Sequence, residues 1–384
     1  MPPLPRRLTL SALFLLIFVA APSTAPAQAS LSNEAAAVLE RFAAQLAEDV
    51  EADSVGGITA AVVFGDQVVW ADAFGWADRA QQIPAGTETI YRVGSISKSI
   101  TAVALVQLAE QGVLSLDDPV EHSFPAITSL DSLPDLASSI TFRQLASHTA
   151  GLIREPTLPD AASGLIETWE DKILMSIPTT SFKSPPGTEY SYSNIGFGIL
   201  GLALSRAANK PFMALVHNGI FEPLGMQSST FILTPEMKEH LAVGYANRGD
   251  SVNTAWPARE HAGRGYKVPN GGVYSTVGDL AQFIAGQTGA ASNPILSAES
   301  RAEMQRVQTP ESDTEGYGLG FSIRRSEAGH RIVGHGGSVA GYTAYLCFEP
   351  ETKIGVILLR NYNSGRTNLG RSASRLLSNL VTTL

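Results

Sequence analysis

The chain has 384 residues, of which 44% are hydrophobic and 16% charged, a composition that supports a large core in one big or two intimate domains. The formal net charge of −9 at pH 7 argues against nucleic acid or an anionic membrane surface as a partner. Cys347 is the sole cysteine, which excludes an intramolecular disulfide and argues against a cysteine-based metal site.

The N-terminus has the parts of a secretory signal peptide. Two adjacent arginines precede an apolar run over residues 10–21, and small residues with A-x-A spacing follow over 25–29. This pattern predicts an export signal over residues 1–29, cleaved between Ala27 and Ala29. The apolar run is too short to span a bilayer comfortably, and no cysteine follows it for lipid attachment. We therefore expect a periplasmic or extracellular protein with no stable membrane anchor after cleavage.

The rest of the chain has strand patterns near both ends and helical patterns between them. Apolar spacing predicts helices over 35–50, 95–111, 142–147, 194–208, 212–221, 277–285 and 369–380. Strands are predicted over 58–64, 67–74, 317–324, 342–348 and 353–359. This order predicts an α+β fold: one sheet built from distant segments, flanked by terminal helices, with an all-helical insertion. Within a domain of residues 30–384, the sheet part covers about 30–94 and 300–384 and the helical part about 95–299.

Ser95 and Lys98 form the first candidate catalytic motif, S-x-x-K at the start of a predicted helix. Residues three apart share a helix face, so the lysine amine lies beside the serine hydroxyl. A desolvated lysine can take the proton that makes serine a nucleophile, and a helix start stabilises developing negative charge. A capping serine with a solvated lysine is the alternative for so short a motif.

Two further motifs fall where the sheet and helical parts meet. Tyr192 and Asn194 are two apart on a turn-rich segment that leads into a helix, where both could project into a cavity. The alternative is a buried aromatic followed by a capping asparagine. A glycine-rich stretch over 334–341, read as a turn leading into a strand, contains His335 and Gly337, and its glycines permit close approach of a ligand or another backbone.

In this order and context, the three motifs resemble the serine β-lactamase and penicillin-binding-protein superfamily. The closest resemblance is to its class C branch, with D-alanyl-D-alanine carboxypeptidases, D-aminopeptidases and family VIII esterases. Four accessory stretches also match the family pattern, over residues 145–152, 221–226, 271–275 and 317–321. The resemblance implies a β-lactamase/transpeptidase-like fold with an antiparallel sheet, whose edge strand carries the H-x-G motif.

The resemblance also implies a role for each motif residue. Ser95 attacks a carbonyl to form an acyl-enzyme, with the oxyanion between the N–H groups of Ser95 and Ser338. Asn194 holds the substrate and fixes Lys98, while Tyr192 carries a proton to or from the leaving group. Whether Lys98 or Tyr192 is the resting base is left open by the family pattern. Tyr192 would be ionised at neutral pH only if its pKa fell by about 3 units from the usual value of a phenol. This requirement favours Lys98 as the resting base.

His335 departs from the lysine that many relatives have at this position, and a lysine there helps to recognise the carboxylate of β-lactams. A histidine is charged only part of the time near pH 7, so assistance from its charge would fade above a pH of about 6.5. A neutral hydrogen-bonding residue is the alternative. Asn361, Asn363 and Arg366 follow the last strand, and we expect Asn363 and Arg366 to supply another contact for a substrate anion.

The sequence thus predicts an exported serine hydrolase that cleaves amide or ester bonds, with short D-amino-acid peptides or small esters preferred. A β-lactamase, or a penicillin-recognising sensor domain without turnover, is the alternative. The substrate, whether D-peptide, ester or β-lactam, and the oligomeric state are left open. No cofactor or metal is expected, because the seven histidines lack a zinc-hydrolase spacing. His148 is expected to have a packing and hydrogen-bonding role.

Overall fold

A computed structural model describes residues 32–248, 251–309, 312 and 314–383. The predicted signal peptide and its cleavage site lie outside the described residues. Residues 31–384 form one compact unit. In the described ranges, no helix is both long and apolar enough to span a membrane.

Helices occupy most of the middle of the chain and both of its ends. They are α1 Asn33–Asp53, α2 Ile96–Glu110, α3 Pro134–Ser138, α4 Phe142–Ala146, α5 Trp169–Ser176, α6 Asn194–Ala208, α7 Phe212–Val216, α8 Pro235–Glu239, α9 Ala255–Arg259, α10 Val268–Gly271, α11 Val277–Thr288, α12 Ala298–Met304 and α13 Leu369–Thr383. A turn of π-helix, His217–Phe221, continues α7. All seven predicted helices are present, within a few residues of their expected ends.

Strands come from the two ends of the chain, with short pairs between them. They are β1 Gly57–Phe64, β2 Gln67–Asp78, β3 Ile83–Pro84, β4 Tyr91–Arg92, β5 Ala246–Arg248, β6 Ser251–Asn253, β7 Tyr274–Ser275, β8 Gly316–Tyr317, β9 Ser322–Arg325, β10 Arg331–Val339, β11 Tyr342–Glu349 and β12 Ile354–Arg360. Eight of these described strands form an antiparallel sheet in the order β3-β2-β1-β12-β11-β10-β9-β8. The first and last long strands, β1 and β12, therefore pair at its centre.

Side chains alternate across β1 and separate two cores. Ile58, Ala60 and Val62 pack with α1 and α13 on one face, as the terminal helices were predicted to do. Ala61 and Val63 face the opposite side and join the large core that includes α2 and α6. This two-residue period is what a central strand covered on both faces requires.

Helix α2 lies inside this large core and contacts α6, α10 and strands β10 and β11. Its residues from Ile96 to Val106 are all buried, so the helix is covered around its whole circumference rather than along one stripe. Because sheet and helical region both pack against α2, its N-terminus lies at their junction.

Two strand predictions need correction. Residues 317–324 form a hairpin of β8 and β9 instead of one strand, because Gly320 turns the chain with a φ of +74°. A Cβ at Gly320 would lie 2.9 Å from the Lys98 carbonyl oxygen, so the turn is pressed against α2. The glycine-rich stretch expected as a turn belongs mostly to strand β10, in which glycines permit close backbone approach.

Candidate active site

Ser95 lies at the N-terminal end of α2, directly after a turn at Gly94 with a φ of +54°. As the N-cap residue, it makes no side-chain hydrogen bond to the helix end. Its hydroxyl instead accepts a hydrogen bond from Lys98 Nζ at 3.0 Å. The structure therefore brings the predicted nucleophile and the predicted base together on one helix face.

Lys98 is fully buried, and its amine has three acceptors. It donates to Ser95 Oγ at 3.0 Å, Asn194 Oδ1 at 2.8 Å and the Asn270 carbonyl at 3.1 Å. Burial, followed by the nearby charge of Arg154 and other cations, lowers the pKa of Lys98 well below its usual value. The site thus orients the Lys98 amine with three hydrogen bonds. It also favours the neutral form of the amine, which is the form that can act as a general base.

Tyr192 is half-buried just before α6, with its ring 4.2 Å from that of His148. Two basic side chains flank the ring: Lys98 Nζ is 4.9 Å and Arg154 Cζ 4.8 Å from its centre. Burial raises the pKa of Tyr192 above its usual value, although the Ser95 hydroxyl and Arg154 partly offset the effect. A protonated phenol beside Ser95 is suited to relaying protons rather than to acting as the resting base.

Asn194 is the first residue of α6, and Ser193 caps that helix in its place. The Asn194 side chain links Lys98 to Glu155. Its Oδ1 accepts from Lys98, and its Nδ2 donates to Glu155 Oε1 at 2.6 Å. A carboxylate can only accept, so Glu155 fixes which end of the amide faces the lysine. Donation therefore runs from Lys98 through Asn194 to Glu155, while Lys98 also donates to Ser95 on its other side.

Glu155 was missed by sequence reasoning, although it lies next to the site. Tyr266 donates to its Oε2, and Lys267 Nζ lies 3.0 Å from the same oxygen. Burial opposes its ionisation, but the Tyr266 hydroxyl and Lys267 hold the pKa of Glu155 below its usual value. Only a loop with no recognisable pattern carries this residue, so no signal in the sequence marks it.

Asn270 is a second residue that sequence reasoning missed. Its carbonyl accepts from Lys98, and its Nδ2 donates to the Asn194 carbonyl at 2.8 Å. It directly precedes the accessory stretch over 271–275, so its place in the chain offered a weak signal. Asn270 thereby ties α10 to the start of α6 around the lysine.

His335 is neutral, contrary to the expectation of a partial charge near pH 7. Its Nε2 and the Tyr317 hydroxyl are 2.7 Å apart, and its Nδ1 is 2.7 Å from the Gly336 carbonyl. A neutral ring satisfies both contacts when Nδ1 donates and Nε2 accepts. Burial, together with the charge of Lys98, lowers the pKa of His335 to about 3. The neutral hydrogen-bonding alternative therefore fits the structure.

Gly337 brings β10 against the turn before Ser95. A Cβ at Gly337 would lie 1.9 Å from the Val93 carbonyl oxygen and 3.2 Å from Ser95 N. From the other side, a Cβ at Gly94 would lie 2.7 Å from Ser338 N. The N–H groups of Ser95 and Ser338 thus lie on two segments in direct contact, which is the arrangement an oxyanion hole needs.

The expectation that the H-x-G strand is a sheet edge is wrong for β10 as a whole, because β9 and β8 lie beyond it. However, β9 pairs with β10 only over Arg331 to Gly334. From His335 to Val339, the described strands provide a partner on the β11 side alone. This part of β10 therefore has an edge available beside Ser95.

The side chains of Asn361 and Asn363 form hydrogen bonds with backbone groups of the protein. The Asn363 side chain accepts from Gly341 N and donates to the Val339 and Tyr342 carbonyls, although the residue also lines a cavity with Ser338. Asn361 is fully buried and bonded to four backbone groups.

Arg366 lines the Ser95 cavity with 67% of its side chain exposed, and its Nε is 3.8 Å from an Asp53 oxygen. Arg366 is positioned to reach a bound anion, whereas the Asn363 amide is already occupied.

His148 supports the site through packing, as expected. It adopts a φ of +61°, is buried, and accepts a hydrogen bond from Ser193 N on Nδ1 at 3.1 Å. Its ring contacts those of Tyr192 and Tyr317. Burial and the charge of Lys98 lower its pKa well below the usual range, so it is neutral.

Three cavities meet at these residues. Ser95, Tyr192, Gly337 and Arg366 are among the residues that line one of about 570 Å³. Through Ser338 it adjoins a cavity of about 1250 Å³, and through Tyr192 and Gly336 one of about 600 Å³. Among the described residues, no group of three or more histidine, cysteine, aspartate and glutamate side chains is arranged to hold a metal ion.

Comparison with known proteins gives matches over most of the chain. The sequence model of a family described as Beta-lactamase matches residues 42–378. Beta-lactamase-like protein 2 of Dictyostelium discoideum is 27% identical over 310 residues, which are 79% of this chain and 56% of the relative. The chain spans 56 to 64% of the length of the curated relatives it matches.

Two solved structures share the fold. The octameric penicillin-binding protein homologue from Pyrococcus abyssi has a TM-score of 0.75 at 28% identity, covering 90% of this chain and 78% of that one. A class C beta-lactamase from Rhodobacter sphaeroides has a TM-score of 0.70 at 22% identity, covering 91% and 99%. The predicted α+β, β-lactamase/transpeptidase-like fold is therefore confirmed.

Proposed function

Because the chain belongs to the Beta-lactamase family, as its motifs indicated, we propose that it is a serine hydrolase that works through an acyl-enzyme on Ser95. The observation that carries this proposal is the Lys98 amine, fully buried and 3.0 Å from the Ser95 hydroxyl. The Lys98 amine already has two other hydrogen-bond acceptors, so its burial does not require the serine hydroxyl as a partner. It is positioned to remove the serine proton.

The proposed reaction begins with neutral Lys98. Its amine takes the Ser95 proton as Oγ attacks the substrate carbonyl, and the resulting oxyanion accepts hydrogen bonds from the N–H groups of Ser95 and Ser338. Collapse of this intermediate breaks the bond to the leaving group, which receives a proton from Tyr192, and Lys98 reprotonates the phenol. Deacylation uses the same proton path in reverse. Water attacks the acyl carbonyl while Tyr192 and Lys98 take up its proton, and Lys98 returns a proton to Ser95 Oγ as the acid is released.

The preferred substrates in this proposal are small esters or short D-amino-acid peptides. A lysine at the position of His335 helps relatives to recognise the carboxylate of β-lactams, and a neutral histidine does not supply that charge. Arg154 and Arg366 are exposed cations of the Ser95 cavity that could contact such a group. Ester or D-peptide hydrolysis is therefore expected to exceed β-lactam hydrolysis.

Covalent labelling tests the mechanism. Incubation with a fluorophosphonate should place one adduct on Ser95, mapped by mass spectrometry, and Ser95→Ala should lose both the label and turnover. Ser97→Ala is the matched control, because Ser97 Oγ is committed to the Gly94 carbonyl in the same helix turn. Labelling elsewhere, or full turnover by Ser95→Ala, would refute the mechanism.

A substrate screen tests the ranking. The purified protein should cleave p-nitrophenyl esters or D-amino-acid amides faster than nitrocefin. Nitrocefin turnover without ester or D-peptide cleavage would instead establish a β-lactamase. Acylation by penicillin without measurable release would support the sensor alternative.

Export is a separate part of the proposal and depends on residues 1–29 alone. Expression of the full chain in a Gram-negative host, followed by fractionation and N-terminal sequencing, should yield a periplasmic protein that begins between residues 28 and 30. An uncleaved cytoplasmic product would contradict it.

A further inference from the structure

The cavity of about 600 Å³ beside the Ser95 cavity has walls of unusual composition. Four tyrosines and an isoleucine contribute to it: Tyr190, Tyr192, Tyr317, Tyr345 and Ile323. Three of its lining residues, Tyr192, Gly336 and Tyr345, also line the Ser95 cavity. A molecule bound at Ser95 can therefore extend into it.

The passage between the two cavities exists because of the backbone of β10. Pairing with β9 stops at Gly334, which faces Ser322, so β9 does not cover His335 or Gly336. Gly336 has no side chain, and a Cβ there would already lie 3.3 Å from the Tyr345 ring. A larger residue would narrow the opening from the strand side.

Apart from two exposed side chains, the walls are largely aromatic and uncharged. His335 is neutral, and its Nε2 is engaged by the Tyr317 hydroxyl. The rings of Tyr190 and Tyr317 lie 5.9 Å apart, and those of Tyr317 and His335 meet edge to face at 5.8 Å. Two exposed residues, Glu315 and Arg324, bring charge to the lining. Such walls favour flat apolar groups.

The position of Tyr192 identifies the part of the substrate that enters. In the proposed reaction, the leaving-group atom receives its proton from the Tyr192 hydroxyl and so lies beside it. In the same reaction the carbonyl oxygen faces Ser338, which the Ser95 cavity shares with the cavity of about 1250 Å³ lined by charged residues such as Lys267 and Glu260, so we place the acyl part on that side. The tyrosine-walled cavity is thus on the leaving-group side.

We propose that the tyrosine-walled cavity binds the leaving group of the substrate, and that this group is an aromatic alcohol or amine. The inference rests on the proposed serine-hydrolase function, since it assigns the cavity through the proton relay. It narrows the substrate class to aryl or similar esters and amides.

Turnover of matched esters tests the assignment. Phenyl and hexafluoroisopropyl acetates share one acyl group and have leaving alcohols of similar acidity, so their ratio of kcat/KM reports binding of the leaving group. We expect the aryl ester to be preferred and Tyr190→Ala to reduce that preference by about three- to tenfold. Tyr190→Phe should retain it, because the ring remains.

Two more variants control for folding and position. Leu165→Ala truncates an apolar side chain that is 61% exposed and lines the larger cavity, so the aryl preference should be unchanged. Ser322→Phe should fill the tyrosine-walled cavity from β9 and lower aryl turnover even if Tyr190→Ala fails to fold. Equal kcat/KM for the two esters in the wild-type protein, or a preference that survives both Tyr190→Ala and Ser322→Phe, would overturn the proposal.

Binding measurements separate this inference from the proposed function. Calorimetry of the Ser95→Ala protein with 2-naphthol should detect binding that Ser322→Phe abolishes, whether or not any ester is cleaved. Binding without turnover of any substrate by the wild-type protein would refute the hydrolase while supporting the ligand class of the cavity. The anionic substrate O-acetyl-lactate, whose leaving alcohol is lactate, tests the opposite case. If it is preferred to the phenyl ester, and Arg324→Ala removes that preference, the cavity is an anion site and the aromatic assignment is wrong.

Discussion

Lys98 shows how burial of one residue sets a pH dependence. Its lowered pKa means that the neutral amine forms well below the usual lysine range. Since only the neutral amine can accept the Ser95 proton, kcat/KM should rise with pH through that lowered pKa. Activity should then hold until Tyr192 loses its proton, above pH 10, because burial raises the pKa of Tyr192.

Measurement of kcat/KM against pH for an uncharged ester tests this profile, and His335→Gln serves as the companion variant. Glutamine is neutral and can still accept from Tyr317. The pH dependence of kcat/KM should therefore have the same shape in the variant as in the wild type, even if the absolute rates differ. A new or lost inflection near pH 6.5 in that comparison would mean that the histidine titrates during catalysis.

Arg154 offers a direct test of the electrostatics. After burial, its charge is the largest effect that lowers the pKa of Lys98. Arg154→Gln should therefore move the acid limb of the profile to higher pH, by a small amount because the guanidinium is largely exposed. Arg206→Gln is the control, because Arg206 is an exposed arginine paired with Glu170 on another part of the surface. Equal shifts in both variants would point to a general charge effect.

Glu155 is predicted to act as a positioning residue through Asn194. In Glu155→Gln, the new amide can donate to Asn194 Oδ1, which allows the asparagine to turn its NH₂ towards Lys98. We expect kcat/KM to fall by about 10- to 100-fold. The acid limb should also move to lower pH, because the Glu155 charge raises the pKa of Lys98. Glu155→Asp keeps the charge and should leave the limb close to the wild type. A loss of activity with an unmoved limb in Glu155→Gln would indicate a purely structural role.

At the scale of elements, the approach of β10 to the turn before α2 decides the oxyanion site. Gly337→Ala places a methyl group 1.9 Å from the Val93 carbonyl oxygen, so the strand and the turn must separate. We expect kcat to fall by about 100-fold or more, as when an oxyanion donor is removed. Gly336→Ala is the matched control on the same strand, because its nearest contact is 3.3 Å, to the Tyr345 ring. Similar losses in both variants for a small ester would contradict this assignment.

At the scale of the whole molecule, Asn361 joins distant parts of the chain. Its Oδ1 accepts from Gly57 N, and its Nδ2 donates to the carbonyls of Trp76, Ala77 and Val243. One buried amide thus connects β1, β2 and the segment before β5. Asn361→Leu should lower the free energy of unfolding by about 3 kcal/mol or more, since each buried group left unpaired costs about 1–3 kcal/mol.

Denaturant unfolding measures this loss, with Asn368→Ala as the control. Asn368 is exposed and makes one capping bond to Arg371 N at 3.0 Å, so its loss should cost about 1 kcal/mol. Equal losses in the two variants would show that Asn361 does not connect these segments as described.

Local patterns in the sequence determined most of the elements and the proximity of Ser95 and Lys98. The apolar stripe of α13 and the i, i+3 spacing of Ser95 and Lys98 follow from helix geometry over a few residues. The separation of β1 from β12 along the chain already implied a sheet assembled from both ends. Those inferences needed no knowledge of distant contacts, because the forces that decide them act within one element.

The tertiary structure decided the charge states and the partners. Whether His335 is charged depends on its burial and on Lys98, which is distant along the chain, and Glu155 reaches Asn194 across 39 residues. The close approach of the Gly320 turn to α2, and of the strand through Gly337 to the turn before Ser95, likewise arises only in the assembled fold. Desolvation and close backbone packing are properties of the assembled core, so no stretch of sequence carries them by itself.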